Sequence, residues 1–137
     1  MRNEFTEAVA QRVNGVLPSG LILVAPGQDP SKAEGATEFV ELYVQHGPGG
    51  QIGYGAPGSR RYEKNGFIFA NIKTPPFRGI TRSGELAELI EACLRGWAPV
   101  GFDATIFNVH TKDIGLSDAR DYEVHQTSAE FKYRRVQ

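Results

Sequence analysis

Residues 47–61 form the stretch of this chain that most resembles a ligand-binding motif, a glycine-rich segment reading GPGGQIGYGAPGSRR. Within it, Gly53–Gly58 fits the pattern G-x-G-x-x-G, which in dinucleotide-binding proteins follows a strand and opens a helix. Here residues 60–72 follow it, and their aromatic and β-branched residues predict a second strand rather than a helix. Pro57 also lacks the amide hydrogen that a phosphate cradle would use. We therefore expect a long, mobile hairpin loop at about residues 47–61.

The three histidines offer a second kind of chemistry. No H-x-x-x-H or C-x-x-C spacing accompanies His46, His110 or His125, so the sequence predicts no zinc site. Residues 125–127 read HQT, the H-x-T element that two-histidine phosphoesterases use in pairs as acid and base. The other candidate, residues 110–112, reads HTK, with its hydroxyl one position early. A phosphoesterase remains the enzyme alternative, and it requires His110 and His125 to converge.

The single cysteine argues against redox or thiol chemistry. One cysteine excludes an internal disulfide and a cysteine-rich zinc site. Cys93 falls on the apolar stripe of a predicted helix, where we expect a buried and unreactive thiol. The chain has no G-x-S-x-G motif. We therefore predict a protein that is not an enzyme, with no catalytic, cofactor-binding or metal-binding residue.

Composition places the chain among ordinary globular proteins. Its 137 residues, 40% hydrophobic and 23% charged, suit a single domain spanning residues 1–137. A net charge of −1 supplies no field that would attract nucleic acid or an anionic membrane. No apolar run reaches the ~20 residues of a membrane span. The first residues, MRNEFTEAVAQRV, contain acids and no apolar core, so we expect no signal peptide. We expect no membrane partner, no specific nucleic acid, and a cytoplasmic setting.

Hydrophobic periodicity predicts the elements that must position these residues. Helices are predicted at 3–16 and 83–95, and strands at 21–25, 37–45, 60–73, 103–110 and 122–136, with a loop at 26–36. The order is α-β-β-β-α-β-β. Because consecutive strands can pair as hairpins, we expect an α/β (α+β) fold with a mostly antiparallel sheet of four to five strands and both helices packed on one face.

The strand at 37–45 is apolar on both of its faces. Val40 and Leu42 lie on one face, and Phe39 and Tyr43 lie on the other. One hypothesis is that a partner covers the Phe39 and Tyr43 side. The alternative is two ordinary surface aromatics, and the pattern does not decide between them.

Taken together, the order of these segments resembles the tail terminator (tail completion) proteins of long-tailed bacteriophages. The residues that carry the resemblance are, in order, Glu38–Val44, the glycine-rich loop, Arg61, Asn65–Pro75, Gly79 and the helix from Glu85 to Arg95. The resemblance covers residues 3–110, extends more loosely to the last strand, and is weakest at residues 113–121.

The resemblance implies a structural virion protein that forms a homohexameric ring. Such a ring sits on the last layer of the tail tube at its head-proximal end, stops polymerisation of the tube and offers a head-joining surface. The implied partners are further copies of the chain, the major tail tube protein and a head-completion protein. Assembly would take place in the host cytoplasm, without catalysis or a cofactor.

The ring also gives the glycine-rich loop a purpose. Ordering a long loop costs about 1–2 kcal/mol per residue, which burial of apolar side chains against a neighbour would offset. The predicted interface residues, toward a ring neighbour or the tail tube, are Ile52, Tyr54, Arg60, Arg61, Lys64, Phe39 and Tyr43. A further alternative is a nucleic-acid- or peptide-binding module that uses the aromatic face of the 37–45 and 60–73 hairpin.

Overall fold

The structure is a computed structural model that describes residues 2–47, 50–51, 61–75, 81–116 and 122–136. Its elements are α1 (Arg2–Val16), β1 (Ile22–Val24), a 3-10 turn (Pro30–Ala33), β2 (Phe39–His46), β3 (Gly50–Gln51), β4 (Arg61–Thr74), α2 (Thr81–Leu94), β5 (Asp103–Leu116) and β6 (Glu123–Val136). The predicted α+β fold is confirmed, and the predicted order of helices and strands agrees broadly, with the 3-10 turn and short β3 as additions. Most of the predicted glycine-rich loop, residues 48–49 and 52–60, lies outside the described residues.

The strands form one mixed sheet in the order β1-β2-β4-β6-β5, and short β3 pairs with β4 beyond the end of β2. Every pair of neighbours is antiparallel except β1 and β2, which run parallel through the connection that contains the 3-10 turn. β6 inserts between β4 and β5, so the chain crosses over through α2 and returns by a hairpin. β5 runs to Leu116, further than the predicted end at residue 110, because β6 pairs with it along that length.

Both helices pack on one face of the sheet. Side chains at alternate positions of β4 and at helical spacing in α1 and α2 form a single core. The fully buried members from these three elements are Phe5, Val9, Val13, Ile68, Ala70, Ile72, Leu86, Ile90 and Leu94. Burying each large aliphatic or aromatic side chain contributes about 1.5–3 kcal/mol, so this face provides most of the drive to fold. No helix among the described residues is long and apolar enough to span a membrane.

A glycine and two contacts from α1 define the C-terminal end of α2. Gly96 has a φ of 68°, the left-handed conformation that commonly ends a helix. Arg12 of α1 donates from Nε to the carbonyl oxygen of Cys93 at 3.0 Å, and its guanidinium lies over the Trp97 ring. Cys93 itself is buried, and burial raises the pKa of its thiol to about 11. The thiol is therefore protonated near neutral pH.

Candidate functional site

The face of the sheet opposite the helices is the candidate functional site. Alternation along β4 turns Phe67, Phe69 and Asn71 away from the core formed by Ile68 and Ala70. Within the described part of the chain, neither helix covers this side. We call it the open face, and its residues are Tyr43, Gln45, Phe67, Phe69, Asn71, Thr105, Phe107, His110, Lys112, Gln126, Ser128, Glu130 and Lys132.

Aromatic side chains form a band across the open face. Tyr43 is 47% exposed, Phe67 42% and Phe107 41%, which is unusual for three large rings on one surface. Phe67 and Phe69 stack with their ring centroids 5.8 Å apart. Tyr43 lies opposite Phe69 in the β2–β4 register, so the band extends from β2 onto β4, with Phe107 on β5 beyond it.

Charged residues surround this band. Lys73 forms an ion pair with Glu41 at 2.7 Å, and the hydroxyl of Tyr43 donates to the same carboxylate at 2.9 Å. Burial, and then the hydrogen bond to Glu41, raise the pKa of Tyr43 above its usual value. At the β5 end of the open face, the ammonium group of Lys132 lies 5.9 Å from the centre of the Phe107 ring. The open face therefore has an apolar centre and a polar rim, as protein interfaces commonly do.

A bulge in β5 shapes the outer edge of the open face. The β5–β6 register shifts between Phe107 and His110, and Asn108 takes a φ of 55°, a left-handed conformation that asparagine tolerates better than most residues. The side-chain amide of Asn108 donates to the Glu130 carboxylate at 2.7 Å, and the backbone carbonyl oxygen of Asn108 lies 2.9 Å from Nδ1 of His110. The extra residue allows Phe107 and His110 to face the same side.

The structure separates the predicted interface residues. Tyr43 is exposed on the open face, but Phe39 is buried by its own chain, with its ring 5.2 Å from that of Tyr122. Lys64 is exposed, and its position in β4 alternates with the open-face residues, so it lies on the helix side. Arg61 begins β4 opposite Val136. Ile52, Tyr54 and Arg60 lie outside the described residues.

Two exposed aromatics were not among the predicted interface residues. Phe67 alternates with Ile68 in the sequence, so the period of two already separated it from the core side. Phe107 lies four residues into a segment that reads simply as a strand, and no local signal links it to Phe67. They come together because β6 brings β5 to the same sheet, with Glu130 between the two rings.

The two histidines of the phosphoesterase alternative do not converge. His110 is exposed opposite Ser128 on the open face, whereas His125 lies opposite Ile72 on the helix side, with Nε2 3.8 Å from Oδ1 of Asp113. The hydroxyl of Thr127 is engaged with that of Thr111 at 2.8 Å. The paired acid and base that this alternative requires is therefore absent from the described residues. No group of three or more metal-ligating side chains occurs among them either.

Comparisons with known proteins show the fold and nothing finer. No family model matches the chain, and no curated protein matches it. A solved structure, of a protein whose name states no function, aligns with 97% of this chain and 96% of its own at a TM-score of 0.65 and 14% sequence identity. At that identity the likeness establishes a shared α+β architecture over nearly the full length of both chains.

Proposed function

We propose that this protein is a non-catalytic tail terminator, whose copies close into a ring that caps a phage tail tube, stops its polymerisation and provides the head-joining surface. The observation that carries the proposal is the aromatic band on the open face, in which Tyr43, Phe67 and Phe107 are exposed and Phe69 is half-buried. Together with the sequence resemblance described above, it favours a subunit that is completed by assembly. The ring would reside in the virion, at the head-proximal end of the tail.

The energetics of the open face support a protein partner. Covering any one of the three exposed rings would remove on the order of 80 Å² of apolar surface, or about 2 kcal/mol. Gln45 and Lys132 beside the rings, and Glu130 between Phe67 and Phe107, supply hydrogen-bonding and charged groups. A surface of this composition suits another protein surface, such as a neighbouring copy or a subunit of the tail tube.

The glycine-rich loop connects to the sheet next to this surface. β3 and the first residues of β4 extend beyond the end of β2, so the chain enters and leaves the loop past Gln45 and Phe67. In the sequence, Ile52 directly follows β3 and Tyr54 comes two residues later. We propose that they add apolar contact area to the same assembly contact.

The test is tube assembly with the tail tube protein of the same phage or prophage. The wild-type protein should form rings in solution, measured as mass against concentration and by negative-stain imaging, and should stop tube growth. The double substitution Tyr43→Ser and Phe67→Ser should abolish capping while the thermal unfolding midpoint stays close to that of the wild type, because both side chains are exposed. Leu89→Ser, at an exposed position of α2 on the other side of the sheet, is the control and should cap normally. Normal capping by the double variant would refute the role of the open face.

A single-stranded nucleic acid is the second candidate partner, and one observation favours it. The stacked rings of Phe67 and Phe69 lie on the central strand β4, with Lys132 on the neighbouring strand β6 and Lys112 on β5 beyond it. Bases stack on such aromatic platforms, and lysines follow the phosphates. The net charge of −1 weighs against it. Salt-dependent binding of short oligonucleotides that Phe67→Ser abolishes would support this candidate over the tail terminator.

A further inference from the structure

The sheet ends in two different free edges. On one side β1 covers β2 only from Phe39 to Glu41, so the stretch from Leu42 to His46 has no strand beside it within the described residues. A depression of about 590 Å³ lies there, lined by residues that include Pro26, Gly27 and Val44. On the other side β5 is the outermost strand along its whole length. Such edges present unpaired backbone groups that can accept another strand.

One backbone hydrogen bond determines which groups of β2 point outward. Gly47 donates its N–H to the carbonyl oxygen of Asn65 at 2.6 Å, continuing the β2–β4 ladder. In an antiparallel pair, alternate residues direct both backbone groups toward the same neighbour. Tyr43 and Gln45 therefore bond to β4, and Val44 directs its N–H and C=O toward the free edge.

The same alternation extends across the sheet to β5. By this alternation, Lys132 and Glu130 of β6 direct their backbone groups toward β5. Their partners Thr105 and Phe107 therefore bond to β6, and Ala104 and Ile106 direct their backbone groups outward. An independent contact agrees with this assignment. Val109 also directs its backbone groups away from β6, and its carbonyl oxygen accepts a hydrogen bond from Nη2 of Arg95 at 3.3 Å.

The usable part of the β5 edge is limited in length. Beyond Phe107 the bulge at Asn108 breaks the register, and Arg95 occupies the next outward carbonyl. The regular free edge of β5 therefore runs from Asp103 to Phe107, long enough to pair with the free edge of β2 from Leu42 to Gln45. Bulges of this kind commonly end strand pairing at a sheet edge.

We infer that the free β2 edge of one copy pairs, antiparallel, with the free β5 edge of the next copy, so that the sheets of neighbouring subunits become continuous. This inference rests on the proposed ring. Within one subunit β2 runs opposite to β5, and rotation about an axis along the strands preserves that relation between copies. The two edges differ, so the contact is head-to-tail, the type of contact that closes into rings.

The side chains select one register for this pairing. With Val44 opposite Ile106, both apolar side chains face the helix side, and Tyr43 lies opposite Phe107 on the open face. These two rings are among the most exposed aromatics of the described chain, and this register alone covers each with the other. In the same register Gln45 lies opposite Thr105, both exposed and both directing their backbone groups away from the new interface.

The test is a disulfide between positions 45 and 105 of neighbouring copies. Such non-hydrogen-bonded positions place Cα atoms ~4.5 Å apart, within the range of a disulfide. The full-length double variant Gln45→Cys and Thr105→Cys, oxidised under conditions where the wild type forms rings, should give a ladder of covalent oligomers that ends at the ring. Each single variant should stay uncrosslinked, because the two edges differ. The pair Gln45→Cys and Glu88→Cys, with the second site on α2, is the control and should also give no ladder.

The outcomes separate this inference from the proposed function. Rings that form and cap tubes while the double variant gives no ladder would overturn the edge pairing and leave the tail terminator proposal intact. Dimers from either single variant would show a symmetric contact and would equally overturn it. A wild-type protein that forms no ring at any concentration would overturn both. A ladder from the double variant alone supports the pairing and its register.

Discussion

Gly66 of β4 offers the most direct test of how closely the strands pack. A Cβ at this position would lie 2.0 Å from the carbonyl oxygen of Gln45 and 2.8 Å from Cζ of Phe131. The first of these atoms is backbone, so β2 and β4 would have to separate, and the second belongs to a buried core ring. Overpacking of this kind costs about 1–3 kcal/mol, and the lost ladder contacts bring Gly66→Ala to about 3 kcal/mol of unfolding free energy.

The assay is thermal unfolding followed by circular dichroism at a concentration where the protein is monomeric. For a domain of this size 1 kcal/mol corresponds to roughly 3–5 °C, so Gly66→Ala should lower the midpoint by about 10–15 °C. Gly84→Ala is the control. Gly84 lies in α2, and an added methyl group there would meet no atom within 4 Å, so the same substitution should raise stability by up to about 1 kcal/mol through helix propensity. A Gly66→Ala midpoint within about 2 °C of the wild type would refute this reasoning.

Three further outcomes are expected. Ala104→Pro should prevent ring formation and leave the monomer's stability nearly unchanged, because the N–H of Ala104 points outward. Thr105→Pro should instead cost about 1–3 kcal/mol of unfolding free energy, because it removes a backbone hydrogen bond to β6. Equal unfolding midpoints for the two variants would contradict the assignment of outward-directed and β6-directed residues in β5. Deleting residues 49–58 removes only the two paired residues of β3 and otherwise shortens a loop, whose closure entropy changes little, so the unfolding midpoint should stay within a few degrees. The deletion should abolish tube capping, and tails that still end at normal length would exclude that role for the loop. Cys93 should resist alkylation at pH 8 until the protein is unfolded in guanidinium, because its thiol is buried and protonated. Because its pKa is raised from 9.0 to about 11, the contribution of the protonated thiol to the free energy of unfolding should be full below pH 9 and lost as the pH approaches 11.

Periodicity in the sequence was enough to identify both helices and five of the six strands of the described residues, but not short β3 or the 3-10 turn. Alternation in β4 separates Ile68 from Phe67, and the apolar stripe of α2 places Cys93 inward, because both patterns depend only on residues close along the chain. The stop at Gly96 follows from the same local chemistry. None of these features requires knowledge of a tertiary contact.

The sequence did not determine the neighbours of each strand. The parallel pairing of β1 with β2 and the insertion of β6 between β4 and β5 depend on contacts between residues far apart in the chain. Those contacts decide that Tyr122 covers Phe39 while Tyr43 stays exposed. A local pattern carries no information about which distant side chain fills a given space.

The open face shows where the two kinds of information meet. By alternation alone Phe107 and His110 would face opposite sides of β5, since three positions separate them. The bulge at Asn108 turns both to the open face, and the β6 register then brings Phe107 near Phe67. The sequence by itself determined which residues are apolar and in what period they recur. Only the tertiary structure decided that four aromatic rings share one face of the sheet, three of them exposed among the described residues, because strand order and a bulge are properties of long-range packing.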